Sequence, residues 1–87
     1  MMRLRVEPVG KGLHPNEMVV AVRTTTGIER LVVPVQSIAK NSIEIAWPIR
    51  RKDEAFLIEF PRETQSGAWR AWVHRDQLTE EEERMRA

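Results

Sequence analysis

The chain contains no cysteine, no tyrosine and only two histidines in 87 residues. Without cysteine it can build neither a disulfide framework nor a thiol nucleophile, which agrees with a cytoplasmic setting. Long apolar runs are missing too. The longest, Met18 to Val22, has five residues, against the roughly 20 that a membrane-spanning helix needs. The opening Met1-Met2-Arg3-Leu4-Arg5 lacks the apolar stretch of a secretion signal. These absences predict a cytoplasmic chain with no membrane partner.

Signs of catalysis are equally scarce. His14 and His74 are far apart in the sequence, with no cysteine and no ligand-spaced carboxylate beside either. No metal site and no cofactor is expected. Ser37, Ser42 and Ser66 fall in predicted turns without a nucleophile-elbow motif. Gly10-Lys11-Gly12 lacks the Lys-Ser or Lys-Thr pair of a phosphate loop, so it is read as a flexible loop. No residue takes a catalytic role, and the chain is not expected to be an enzyme.

Charge is balanced overall, with 14 basic and 13 acidic residues. It is uneven along the chain. The segment 79–87 holds four glutamates against two arginines, a net −2, which leaves the preceding body at +3. That mild excess permits an anionic partner without demanding one. The length fits one small β domain over 1–78, followed by an acidic tail over 79–87.

Period-two alternation of apolar and polar residues dominates, the signature of strands with one buried face. Six strands are predicted: Met2 to Glu7, Met18 to Thr25, Ile28 to Val35, Ile43 to Arg50, Ala55 to Phe60 and Ala68 to His74. Pro34 and Pro48 inside two of them imply a sheet edge or a bulge. A turn at Thr26-Gly27 sets Val22 against Leu31 and Val20 against Val33. A turn at Lys52-Asp53 sets Ile49 against Phe56 and Trp47 against Ile58. With Pro61 to Ala68 as a third loop, Phe60 faces Trp69, Ile58 faces Ala71 and Phe56 faces Val73. Every hairpin then gathers its apolar residues on one side, including Trp47 and Trp69. Gln36 to Asn41 has room for one helical turn. Thr79, with Glu82 at capping-box spacing, predicts a short C-terminal helix or a disordered tail.

The outer face supplies the candidate sites. The first register places Arg23 opposite Arg30, a like-charge pair that suits an anion. Arg50, Arg51 and Lys52 form the densest basic cluster. Arg70, Trp72 and His74 point outward, with Glu59 facing Arg70 and Leu57 facing Trp72. Leu57 and Trp72 make an apolar patch on a nominally wet face, which suits a protein partner or a second copy of the chain. The loop Pro61 to Gly67 adds Arg62 and Thr64 as binding groups on a rigid scaffold. Pro8 to Glu17 is read as a second long loop.

The stretch Trp72-Val73-His74-Arg75-Asp76-Gln77-Leu78 resembles the closing strand and turn of bacterial SH3-like domains, with Ala71 in place of the usual glycine. The resemblance implies an SH3-like barrel with a peptide or cell-wall ligand groove between loops. Together these readings predict an all-β fold, an antiparallel meander bent into a sheet or small SH3-like barrel. They predict a non-catalytic binding or adaptor module acting through Leu57, Arg62, Thr64, Arg70, Trp72 and His74. The alternative is a nucleic-acid-binding barrel using Arg23, Arg30, Arg50, Arg51 and Lys52, with Trp72 as a stacking platform.

Overall fold

The computed structural model describes residues 2–80. The fold is all-β and antiparallel, as the alternation predicts. It has nine strands among the described residues: β1 (Met2–Arg5), β2 (Glu7–Lys11), β3 (Glu17–Thr24), β4 (Gly27–Pro34), β5 (Ser42–Ile45), β6 (Arg50–Lys52), β7 (Ala55–Glu59), β8 (Arg70–His74) and β9 (Leu78–Glu80). They form three sheets of three strands, ordered β5-β1-β9, β2-β3-β4 and β6-β7-β8. The described strands do not close into one barrel.

Two predicted strands split. The first breaks at Val6, whose amide makes one last bond in register with β5, to the Asn41 carbonyl over 2.9 Å, before the chain pairs with β3. This break lets one extended segment serve two sheets. It also turns Pro8 to Lys11 from predicted loop into strand, with a bulge between Pro8 and Gly10. The other split comes before Pro48, which has no amide for a ladder. On one side β5 pairs with β1, and on the other β6 pairs with β7.

The third hairpin has the predicted register throughout. The first two are displaced by two residues. Val20 faces Leu31 and Met18 faces Val33, while Phe56 faces Arg51. Side chains alternate with period two, so an even displacement changes partners but preserves faces. Local chemistry explains both displacements. In the first turn, the Thr24 hydroxyl accepts from the Thr26 amide (3.2 Å) and donates to the Gly27 carbonyl (3.1 Å), so Thr25 and Thr26 form the tip. In the second, Asp53 takes the left-handed conformation (φ 56°) that Asp tolerates better than most residues.

The core draws on all three sheets. Leu4, Val6, Val20, Val22, Leu31, Val33, Ile43, Ile45, Ile58, Phe60 and Val73 are buried. Trp47 and Trp69, expected on that inner face, are not core. They are 56% and 54% exposed, because each lies just past the end of a strand. The predicted helical turn is a 3-10 turn at Val35–Ser37. A tight turn at Ala39–Ser42 follows, with Lys40 and Asn41 at positive φ.

Thr79 and Glu80 do not begin a helix. Their backbones pair with Arg3 and Met2 in β9, so the β domain runs past residue 78. The rest of the predicted tail, 81–87, lies outside the described residues.

Candidate docking cleft and outer face

Where the three sheets fail to close, they leave a cleft of about 780 Å³. Its floor is core: Val33 from β4, Ile43 and Ile45 from β5, and Phe60 just beyond β7. Trp69 stands at its mouth. The Phe60 amide bonds the Trp69 carbonyl over 2.9 Å, so the indole belongs to the last step of the β7–β8 hairpin, where the core has run out. Ala46 lines the same cleft and leads into exposed Trp47. Arg3 and Arg62 line the cleft as cations, and Glu44 and Glu59 as acids.

The wall carrying Arg62 is built by the loop Pro61 to Gly67. Thr64, the one buried polar residue among those described, is 5% exposed. Its hydroxyl accepts from the Ala68 amide (3.0 Å) and lies 3.2 Å from the Ser66 hydroxyl. Ser66 donates to Glu29 (2.7 Å), and the Gln65 amide donates to the Arg30 carbonyl (2.7 Å). The loop is thus fastened to itself and to β4. Thr64, predicted to bind, is placed inside that fastening and braces the loop that carries Arg62.

The outer face of the β6-β7-β8 sheet keeps its predicted pairs. Leu57 faces Trp72, and both are half-buried. Arg70 lies 3.6 Å from Glu59, in an ion pair exposed enough to contribute little stability. Arg50 is opposite Leu57 on the other flank, and Lys52 shares a row with Ala55 and His74. His74 caps the 3-10 turn at Arg75–Gln77: its Nδ1 accepts from the Asp76 amide over 3.3 Å. The Gln77 amide, with smaller help from the His74 ring and Arg5, holds the Asp76 carboxyl below its ordinary value of 3.8.

The predicted opposition of Arg23 and Arg30 is corrected. Arg23 faces Ile28 and Arg30 faces Ala21. They stand diagonally on one face, at the longer spacing where like charges repel less. The Arg50 to Lys52 cluster is divided as well, because Arg51 points to the opposite face from its neighbours. β6 is a sheet edge, and charged side chains there discourage stray strand pairing. Among the described residues, no three His, Asp or Glu side chains stand close enough to hold a metal ion.

Compared with known protein families, curated proteins and solved structures, the chain matches none. The arrangement itself therefore carries the functional reading. Composition and alternation did not foretell the cleft. Its one legible signal is Trp47-Pro48, where a strand must stop immediately after a large ring.

Proposed function

We propose that the chain is a non-catalytic docking module, and that a partner protein or a second copy binds at the cleft beside Trp69. The observation that supports this most is the exposed Trp69 ring on a cleft with an apolar floor and a fastened wall. Aromatic and arginine side chains beside a desolvated pocket are the common anchors of protein interfaces, and Trp69 and Arg62 supply both. A rigid wall lowers the ordering cost of binding. The likeness of Trp72 to Leu78 to bacterial SH3-like domains supports the same reading, since it implies a ligand groove between loops. In this reading the module works in the cytoplasm. Arg62 keeps its predicted role, while Leu57 and Trp72 act chiefly as a packed cross-strand pair.

One observation favours a second reading. Arg50, Lys52, Trp72 and His74 share one face of the β6-β7-β8 sheet, a basic and aromatic row that suits single-stranded nucleic acid. Binding to arrayed 12-residue peptides and to single-stranded oligonucleotides, each at low and physiological salt, separates the two. Docking at the cleft predicts peptide binding that Trp69→Ala abolishes and Trp72→Ala spares, with little salt dependence. Oligonucleotide binding that falls steeply with salt and requires Trp72 would overturn it.

A further inference from the structure

One wall of the cleft is an open strand edge, and the ladder determines which groups face it. Ser42 donates its amide to the Ala39 carbonyl (3.0 Å) and accepts from the Ala39 amide (2.9 Å). Its backbone groups therefore point away from β1. Alternation turns those of Ile43 and Ile45 toward Leu4 and Met2, their partners in β1. It aims the N–H and C=O of Glu44 off the free edge, as it does those of Ser42. Among the described residues no further strand takes them up, because the neighbouring chain forms the 3-10 turn at Val35–Ser37 and makes only a single bridge, at Ala39. Among the described residues, no backbone group beyond the sheets bonds to Glu44. Gln36, Ser37 and Glu44 all line the cleft, which opens beside β5.

We propose that an extended segment of a partner protein enters this opening as an added strand on β5. Its backbone bonds to Glu44, and its alternate apolar side chains rest on Val33, Ile43, Ile45 and Phe60. The inference rests on the docking reading and specifies the form of the partner. Addition to an open edge draws affinity from main-chain bonds and specificity from alternate side-chain pockets. The edge of β6 is charged at every residue, whereas β5 carries one charge between two buried isoleucines. That contrast marks β5 as an edge left open for pairing. Glu44 faces Arg3 in β1, whose guanidinium donates to the Ser42 hydroxyl and carbonyl. On its open side the exposed Glu44 side chain favours a basic residue, since opposite charges across strands stabilise a pair and like charges destabilise it. A second copy pairing β5 on β5 about Glu44 sets two glutamates face to face, which points to a different chain as the occupant.

The test is an amide NMR titration of the full chain with the heptapeptide Lys-Val-Lys-Val-Lys-Val-Lys. In the added strand, lysines face Glu44 and bond its backbone while valines meet the floor. We expect shifts at Ile43 to Ala46 and the Trp69 indole, and slower exchange of the Glu44 amide. N-methylating the lysines should weaken binding by about tenfold or more, and N-methylating the valines should not. Equal affinity of the lysine-methylated peptide, with Glu44 exchange unchanged, overturns the added strand while leaving docking at the cleft standing. Tighter binding of the Glu-Val analogue overturns the basic partner. Glu44 protection that grows with protein concentration alone assigns the edge to a second copy instead. Shifts confined to Leu57 and Trp72 overturn both the inference and the docking reading.

Discussion

The Phe60 amide bonds the Trp69 carbonyl over 2.9 Å, yet Phe60 is 3% exposed and Trp69 54% exposed. One step of a hairpin thus separates core from open surface. The two rings should differ sharply on truncation. Phe60→Ala should cost about 3–5 kcal/mol, the usual cost of a cavity where a buried aromatic stood. Trp69→Ala should change stability by no more than about 0.5 kcal/mol, as exposed sites do. Urea unfolding of both variants checks this, and a large loss at Trp69 would place its ring in the core.

Leu57 and Trp72 should prove coupled. Each is half-buried against the outer face of its hairpin, and they are direct cross-strand partners. A double-mutant cycle with Leu57→Ala and Trp72→Ala should return an interaction of about 0.2–1 kcal/mol. Strict additivity would mean that the two rows do not touch.

Thr64 is expected to act through its hydroxyl. Thr64→Val keeps the volume but leaves the Ala68 amide without its acceptor, and should cost about 1–3 kcal/mol. Thr64→Ser should recover most of that. If valine is tolerated as well as serine, the loop is held by packing alone.

Gly12 is required for space. A β-carbon there would lie 2.7 Å from the Glu17 β-carbon, beside the bond from the Gly12 amide to the Glu17 carbonyl. Gly12→Ala should therefore displace the start of β3 and destabilise the fold by about 1–3 kcal/mol. Gly10→Ala meets no neighbouring atom and is the matched control for space.

Asp76 should titrate below 3.8, chiefly through the Gln77 amide at 3.4 Å. A carboxyl depressed in the folded state favours folding above its unfolded value, and that support is lost as pH falls through the folded one. Gln77→Ala should raise the Asp76 titration midpoint toward 3.8, read from the carboxyl carbon by NMR. An unmoved midpoint would remove the Gln77 hydrogen bond as the cause.

How far the residues foretold this depends on the feature. The β7–β8 register was legible because its apolar pairs and the Glu59–Arg70 charge pair agree on one alignment. The two tighter hairpins were misaligned because the Thr24 hydroxyl and the left-handed Asp53 decide the turns, and neither shows in alternation. The period-two pattern still assigned most faces correctly, since the error was even. It failed for Trp47, Ile49 and Trp69, where parity points inward but the side chains are exposed beyond the ends of the described strands. A cleft is a place where pairing stops, and alternation within single strands says little about where whole sheets end. β9 was hidden by its acidic composition. Thr79 and Glu80 read as a helix start, yet backbone pairing with β1 outweighs that local preference.

The most direct measurement is photo-crosslinking from a benzoylphenylalanine placed at Trp69 or, for comparison, at Trp72, with the crosslinked partner identified. Docking at the cleft predicts a protein product from position 69 that Arg62→Glu diminishes, and none from position 72. A product from position 72 alone, to protein or to nucleic acid, would contradict the account.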